Sequence, residues 1–247
     1  MALIPIWVGV VLIVLILVIA ALGGYFVFSK TATEKTISAS GIARIKVMPD
    51  EAVVYLQIQT KDILADVAKD KNTEISDDVT TALLKLGIER KDIQTDSYNI
   101  YPEYNWSEGQ QDIIGYTVVH RLKVVTTEFD DTGEIVDAAV DNGALVDSIN
   151  FELSTEQQAE FKKQALEAAS KDAREKAEAI AGGLNAKLGS IVSVSSSEFD
   201  YYPYPIFRAQ TMEVAVAGAE AKQAATDISP KELEVTASVS VTYRLRG

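Results

Sequence analysis

The chain has 247 residues, no cysteine, and 36 acidic against 23 basic residues, which gives a net charge of −13. This length allows one large domain or two small ones, with a core large enough to fold without metal or disulfide crosslinks. The lack of cysteine excludes a disulfide framework, a cysteine zinc site and a thiol nucleophile. The acidic balance argues against nucleic-acid binding, which needs a basic face to displace counterions from phosphates.

The amino-terminal segment is strongly apolar. Leu3 to Phe28 contains 26 residues without a charge, and 18 of them are Leu, Ile, Val or Phe. A helix of this length is roughly 39 Å long, enough to cross a hydrocarbon core of about 30 Å. A cleaved signal peptide has an apolar region of only about 7–15 residues behind a basic start, whereas Met1 to Trp7 holds no Lys or Arg. We therefore predict a retained signal-anchor over residues 1–29, embedded in the membrane through residues 3–28.

Hydrophobic periodicity predicts an α+β domain over residues 36–247, joined to the anchor by a linker at residues 30–35. Alternation of apolar and polar residues predicts strands, and apolar residues at three- and four-residue spacing predict helices. This mixture is typical of largely antiparallel sheets with helices packed against them. In chain order the predicted elements are strands 36–47 and 52–60, a helix 63–86, strands 93–104 and 113–127, a helix from Asp130 or Asp131 to Val140, a strand 145–153, a helix from Ser154 to Ala181, strands 190–199, 213–216 and 233–245, and a loop 217–227.

Turn-forming residues separate the predicted strands. Met48-Pro49-Asp50 predicts a tight turn that joins the first two strands as a hairpin, because proline fixes φ and aspartate hydrogen-bonds its own backbone. Pro102 and the polar stretch 105–111 predict a break between the two middle strands.

The longest predicted soluble helix has its own signals. Ser154 and Gln157 have the spacing of a capping box, and Gly182-Gly183 predicts the helix end. Alanines at every fourth position from 165 to 181 form a stripe of small side chains. Such a stripe lets the helix lie close to a sheet or to another helix.

The order of motifs resembles the SIMPL-domain family, which includes the 26-kDa periplasmic immunogenic protein and outer-membrane-protein-28-like proteins. ISASGIARIKVMPDEAVVYLQI is similar to the first hairpin of that family, with Gly41, Pro49 and Asp50 in matching places. GIERKDIQTDSYNIYPEY resembles its most recognisable stretch, and IIGYTVVHRLKV resembles the strand that follows. The Ala-rich helix, the Gly189 region after it and the final strand complete a resemblance over residues 34–246.

The resemblance implies a non-catalytic α+β domain that forms ring-like or barrel-like homo-oligomers and has envelope and stress-related roles. It also implies a location outside the cytoplasm. Lys30 and Lys35 favour the opposite orientation, because positive charges close to a membrane span tend to stay in the cytoplasm. Orientation therefore stays open at the level of sequence.

Residues that carry chemistry in enzymes are sparse in this chain. His120 is the only histidine, and we interpret it as a strand residue rather than a catalyst. A zinc site would need several His or Cys ligands, and a serine hydrolase would need a nucleophile elbow that the sequence lacks. The carboxylate pairs are interpreted as helix faces, caps and turns, and we predict no catalytic, cofactor-binding or metal-binding residue: the pairs are Asp77-Asp78, Asp92 with Asp96, and Asp130-Asp131.

An aromatic-proline segment is the most unusual stretch of the chain. Exposed aromatic side chains on a stiff loop suit a subunit or partner contact, and the candidate contact residues are Phe199, Tyr201, Tyr202, Tyr204 and Phe207. A loop folded over its own core is the alternative structure. Asn105-Trp106-Ser107 is a glycosylation sequon in a predicted loop.

Three functional hypotheses follow. The first is a membrane-anchored domain outside the cytoplasm that self-associates and has a structural envelope role. The second is a binding module that captures a small molecule or a protein partner at the aromatic-proline segment. The third is a hydrolase built on His120 or on a carboxylate pair in a cleft, which would need converging polar groups.

Overall fold

The fold is α+β, with antiparallel sheets and three helices, in a computed structural model that describes residues 35–107, 110–197, 200–208 and 230–246 together with Ile19 and Lys222. The strands are β1 (Thr36–Val47), β2 (Glu51–Asp62), β3 (Ile93–Ser107), β4 (Gln110–Thr126), β5 (Leu145–Glu152), β6 (Lys187–Ser196), β7 (Asp200–Tyr201), β8 (Tyr204–Arg208) and β9 (Leu233–Arg246). The helices are α1 (Ala65–Lys85), α2 (Asp131–Asp141) and α3 (Thr155–Gly183).

The chain divides into two compact units. Among the described residues, unit 1 contains 35–41, 170–196 and 239–246, and unit 2 contains the others between 42 and 238. In the described part of the chain, none of the helices combines the length and hydropathy needed to cross a bilayer. The predicted anchor segment, residues 3–28, lies outside the described residues except for Ile19.

Unit 2 is built on a five-stranded sheet in the order β3-β4-β2-β5-β8. Its pairings are antiparallel, and α1 and α2 contact the sheet at β2. The apolar positions of these strands alternate with polar ones, so that one face of the sheet packs against the helices. The core between them contains Val54, Leu56, Ile58, Val79, Leu83, Leu122, Val124, Ile135, Val136, Val146 and Ile149.

The predicted hairpin between the first two strands is wrong. β1 pairs with β9 in one sheet, whereas β2 pairs with β4 and β5 in the other. Pro49 has no N–H to close a hairpin, and the hydrogen bonds of Asp50 go elsewhere. Its backbone N–H donates to the carbonyl of Glu152, and its carboxylate accepts from Ser154. The turn therefore passes the chain from one sheet to the other.

The two middle strands are longer than predicted. β3 and β4 stay paired from Ile93 opposite Val124 to Ser107 opposite Gln110, so the predicted loop at 105–111 is mostly strand. Polar residues favour loops only when no partner strand supplies hydrogen bonds, and here each strand supplies them to the other. β2 accompanies β4 only as far as Asp62 opposite Tyr116. Beyond that point residues 103–107 and 110–115 form a two-stranded ribbon, which we name the arm.

Helix α1 forms side-chain hydrogen bonds with β2 beyond the point where β5 ends its pairing. β5 ends its pairing at Leu145 opposite Gln57, which leaves the next carbonyl of β2, at Ile58, without a strand partner on that side. The buried amide of Asn72 donates to this carbonyl through Nδ2 at 3.0 Å. Two residues along β2, the Thr60 hydroxyl donates to the carbonyl of Ala68 at 2.6 Å. Side chains thus continue the hydrogen-bonding edge that β5 leaves open.

The substitution Asn72→Ala is expected to lower the free energy of unfolding by about 2 kcal/mol, because it leaves the Ile58 carbonyl buried without a donor. Urea denaturation of the detergent-solubilised chain measures this change. Lys69→Ala, an exposed substitution on the same helix, is the matched control and should change the free energy by less than about 0.5 kcal/mol. Equal effects of the two substitutions would contradict the role assigned to Asn72.

Unit 1 contains β6, the first part of β1 and the last part of β9, in the sheet order β1-β9-β6, together with the carboxyl-terminal part of α3. The alanine stripe of α3 is fully buried at Ala173 and Ala177, and Lys176 donates to the Ser40 carbonyl of β1 at 3.3 Å. Hydroxyl pairs occupy the polar positions of the sheet, for example Ser38 with Thr242 at 2.8 Å. Small side chains thus allow the close helix packing that the sequence predicts.

The end of α3 differs from the predicted glycine stop. The helix continues through Gly183, and the residue with positive φ is Asn185, at 51°. The N–H of Ala186 donates to the Ala181 carbonyl at 2.9 Å, which closes the turn. Among residue types, asparagine ranks second to glycine in how readily it adopts this left-handed conformation at a helix end. The other two helices do end with glycine, at Gly87 and Gly143, both with positive φ.

The segment after β6 also differs from the predicted loop. Residues 200–201 form β7, which pairs with β9, and residues 204–208 form β8, which pairs with β5. The predicted strand 213–216 lies outside the described residues, as does the predicted loop 217–227 apart from Lys222.

Candidate functional site

His120 lies in β4 among strand neighbours. Its Nε2 is 3.1 Å from the hydroxyl of Thr95, and its ring packs edge-on against Tyr98 with 5.3 Å between centroids. Partial burial lowers the pKa of His120, which favours the neutral ring. These contacts, with one hydroxyl and one aromatic ring, are those of a packed strand residue.

Acidic side chains gather around a cavity of about 320 Å³ in unit 2. Five carboxylates and one lysine line it: Glu51, Glu89, Lys91, Asp92, Glu128 and Asp131. Among the described residues no group of three or more His, Asp or Glu side chains is arranged to hold a metal ion. Asp92 and Asp131 thus face one cavity, which the sequence did not predict, whereas Asp77 and Asp78 are exposed on α1.

Glu51 is the carboxyl group of this cavity with a perturbed pKa. Burial, followed by the neighbouring charge of Asp50, raises the pKa of Glu51 above its ordinary value, while Lys123 opposes the shift. A raised folded-state pKa gives stability that is fully present below the ordinary pKa and is lost as the pH rises through the folded-state pKa. The ionised Glu51 therefore disfavours the folded state at neutral pH.

The substitution Glu51→Gln is expected to raise Tm at pH 7 by no more than about 2 °C, because solvent screens this partly exposed group. The gain should disappear below the ordinary carboxyl pKa of 4.5, where both proteins are uncharged at this position. Thermal melts across this pH range measure the effect, with Glu89→Gln as the control. A gain that is independent of pH would contradict this interpretation.

A hydrogen-bonded junction connects the 48–50 turn to the start of α3. The carboxylate of Asp50 accepts from the backbone N–H of Ser154 at 2.7 Å and from its hydroxyl at 2.6 Å. The same hydroxyl accepts from the N–H of Gln157 at 3.2 Å, so Ser154 caps the helix as its spacing predicts. Asp50 thus holds the cap residue itself, a contact between positions 104 residues apart in sequence that no local pattern could reveal.

Two tyrosines pack beside this junction. Tyr55 donates to the carboxylate of Glu152 at 3.5 Å, and Asn150 donates to the same oxygen at 3.1 Å. Burial and the Glu152 charge raise the pKa of Tyr55 to about 12, and burial raises the pKa of Tyr201. The Gln158 amide donates to the Tyr201 hydroxyl at 3.4 Å. Both phenols therefore act as neutral hydrogen-bonding groups at ordinary pH.

The aromatic-proline segment is divided between the core and the surface. Phe207 packs against the core of unit 2, and Tyr201 is half-buried at the junction. Tyr202 is 77% exposed. Phe199 and the side chain of Tyr204 lie outside the described residues, although the Tyr204 backbone pairs with Phe151. The structure therefore does not bring the five predicted contact residues together on one described surface.

The arm and the residues at the start of α1 expose more apolar side chains than the described part of the aromatic-proline segment does. Gly115 brings their backbones together, because a Cβ there would lie 3.0 Å from the carbonyl oxygen of Asp62 and 3.8 Å from the Cα of Ile63. Tyr104 lies opposite Ile113 in the arm. We name as the arm surface six exposed apolar residues of this region, Ile63, Leu64, Ile100, Tyr104, Ile113 and Ile114. Alternation alone does not reveal it, because its members come from three separate segments of the chain.

Asn105 is exposed on the arm and lies in β3 opposite Asp112. It is therefore in a strand rather than in the predicted loop. Glycosylation at Asn105 stays a prediction.

One family model and several curated proteins are similar to this chain. The SIMPL family model, described as a protein of unknown function (DUF541), matches residues 37–243. The chain belongs to the SIMPL family. It is 27% identical to the uncharacterized protein YggE of Escherichia coli K12 over 184 residues, 74% of each chain. It is also 27% identical to the 26 kDa periplasmic immunogenic protein of Brucella melitensis biotype 1 over 221 residues, 87% of each chain. The family resemblance predicted from the sequence is thus confirmed.

Proposed function

We propose that this SIMPL protein is a membrane-anchored domain outside the cytoplasm that works by self-association, with a structural role in the cell envelope. The observation that carries the proposal is the exposed arm surface. The resemblance adds the expectation of a stress-related role. His120 has no catalytic part in the proposal, because it has the contacts of a packed strand residue.

The anchor and the location rest on sequence. The uncharged segment 3–28 is long enough to cross a bilayer as a helix, and backbone groups in lipid must be satisfied within the segment. The Brucella relative carries the word periplasmic in its name, which supports a location outside the cytoplasm for this chain. Lys30 and Lys35 oppose that orientation only weakly, because two charges give the positive-inside rule little to act on.

Self-association is supported by the exposed apolar area of the arm. Ile113 is 52% exposed, Ile114 is 54% exposed and Ile63 is 76% exposed. A two-stranded ribbon is marginally stable in water, and contiguous apolar patches on a soluble surface mark interaction sites. Burial of this surface against another chain would stabilise both the ribbon and the complex.

A second copy suits the arm surface better than the membrane does. Asp112 is exposed on the arm, so insertion of this ribbon would carry its carboxylate into lipid at high cost. The charges beside the apolar residues are paired within the chain, Lys61 with Glu103 at 2.6 Å. A neighbouring copy presents the same paired charges, so this ion pair causes no net repulsion between two arm surfaces.

The aromatic-proline segment enters the proposal through Tyr202. This side chain is 77% exposed, and tyrosine is enriched in interfaces because it combines a large apolar ring with a hydroxyl. We assign Tyr202 to a second, smaller contact. The alternative function, a binding module for a small molecule or protein, would act through the same residue, and its ligand stays unassigned.

Two measurements test the proposal with the full chain. The mass of the detergent-solubilised protein, measured by light scattering, should be a multiple of 26.8 kDa after subtraction of detergent. A mass of one chain at high concentration would overturn self-association.

The location outside the cytoplasm has a separate test. Because the chain has no cysteine, Thr73→Cys creates a unique thiol at an exposed position of α1. Its labelling by an impermeant maleimide in intact cells would support the outside location, and labelling only after lysis would overturn it.

A further inference from the structure

We propose that the end of unit 1 at which β1 begins is a contact site for anionic lipid headgroups. This inference rests on the proposed anchor, because the anchor brings this end of the domain close to a bilayer. It assigns a surface distinct from the arm and a partner of defined chemistry, the negatively charged headgroup layer of the membrane.

Charge is distributed unevenly between the two units. The whole chain has a net charge of −13, yet the described residues of unit 1 include seven basic and only three acidic residues, a net charge of +4. All three acidic residues lie on α3 beside basic residues of the same helix. The ion pairs are Lys176–Asp172 at 2.7 Å, Arg174–Glu178 at 2.8 Å and Lys171–Glu175 at 3.9 Å.

The four remaining basic residues of unit 1 lie at the same end of its sheet. Lys187, the first residue of β6, pairs with Arg246, the last residue of β9. The carbonyl of Lys35 accepts from the N–H of Leu245 at 2.8 Å, which places the start of β1 beside them. Arg244 is two residues before Arg246, and all four side chains are exposed. Strand pairing therefore gathers Lys35, Lys187, Arg244 and Arg246, which we name the basic end.

Apolar side chains accompany the basic end. Leu184, which follows α3, is 63% exposed, and Ile180 in its last turn is 46% exposed. Ile191 of β6 is on the same side of the sheet as buried Tyr243, yet it is 59% exposed. Basic residues next to exposed apolar ones are the composition of surfaces that lie at a lipid interface, with cations at headgroup phosphates and apolar groups below them.

Chain connectivity places the basic end near the bilayer. Seven residues, 29–35, separate Phe28 at the end of the anchor segment from Thr36 at the start of β1. Seven residues span at most about 25 Å when fully extended. Each Lys or Arg close to an anionic surface strengthens association by roughly fivefold, and added salt weakens it. Four such residues would therefore hold this end against an anionic membrane and fix the orientation of unit 1.

The test uses the full chain reconstituted into vesicles of neutral phosphatidylcholine, with or without phosphatidylglycerol. Leu184→Cys carries a fluorophore on the only thiol, and a lipid with a nitroxide on its headgroup quenches it. We expect stronger quenching with phosphatidylglycerol, and its loss at an ionic strength of about 0.5 M. The double substitution K187E/R246E should reduce the phosphatidylglycerol-dependent part of the quenching by at least roughly 25-fold. The double substitution K69E/K85E, at two exposed positions of unit 2, should leave that part unchanged.

Flotation of the same vesicles separates this inference from the anchor. One outcome is flotation with both vesicle types, together with quenching that is the same with and without phosphatidylglycerol and at low and high salt. This outcome would overturn the headgroup site and leave the anchor intact. Flotation only with phosphatidylglycerol, lost in salt, would overturn the anchor and support the headgroup site. Flotation with neither vesicle type would overturn both. The salt measurement needs no substitution at the basic end, so it holds even where K187E/R246E fails to fold.

Discussion

Replacing Ile113 and Ile114 together by lysine is expected to convert the self-associated protein into a monomer. Both side chains are exposed on the arm, at 52% and 54%, so the substitutions leave the buried core unchanged. In an interface they would place two charges per chain in a region that has to exclude water, and unpaired buried charges are strongly unfavourable. We expect the dissociation constant to rise by about 100-fold or more, which corresponds to about 3 kcal/mol.

Light scattering over a range of concentrations measures this change. Met48→Lys is the matched control, because Met48 is 53% exposed and lies outside the arm surface. The control should keep the mass of the unsubstituted protein, and near-UV circular dichroism should show the same fold in all three. An oligomer that survives both arm substitutions would show that the arm surface is not the interface.

The substitution Asp50→Ala is expected to cause the largest loss of stability of any single change considered, about 3–5 kcal/mol. The Asp50 carboxylate makes two charge-assisted hydrogen bonds to Ser154, and such bonds contribute about 1.5–3 kcal/mol each. Its loss also frees the hydroxyl that caps α3 at Gln157. Urea denaturation at neutral pH measures the difference in free energy of unfolding.

Asp130→Ala is the matched control for this prediction. Asp130 also precedes a helix, but its side chain makes no capping hydrogen bond, so we expect a change below about 0.5 kcal/mol. Ser154→Ala combined with Asp50→Ala should cost less than the sum of the single substitutions, because both remove the hydrogen bond between the Ser154 hydroxyl and the Asp50 carboxylate. Additive effects would contradict the shared junction.

The sequence predicted the parts of the fold that local chemistry determines. Alternation located β1 and β9, and the apolar periodicity located α1, because one face of each element is buried against a single neighbour. The alanine stripe of α3 predicted close packing correctly, because a helix face of small side chains lets a neighbouring element lie close to the helix. The capping role of Ser154 was also visible, because it needs only the residues of the first helical turn.

Pairing between distant segments was not predictable in the same way. The 48–50 turn has hairpin chemistry, yet the partner of Asp50 is Ser154, more than a hundred positions away. The arm was missed because its polar residues are typical of loops, while its stability comes from the opposite strand. The basic end emerges only when pairing brings Lys35, Lys187 and Arg246 together.

Photo-crosslinking in native membranes tests the central claim, that an anchored domain works by associating with its own copies. Asp112→Cys, on the exposed arm, would carry a benzophenone on the only thiol of the full chain. Two copies with different affinity tags are produced together. We expect adducts that contain both tags, and their loss when Ile113→Lys and Ile114→Lys are added. Adducts with lipid or with other proteins alone, without a product that carries both tags, would contradict it.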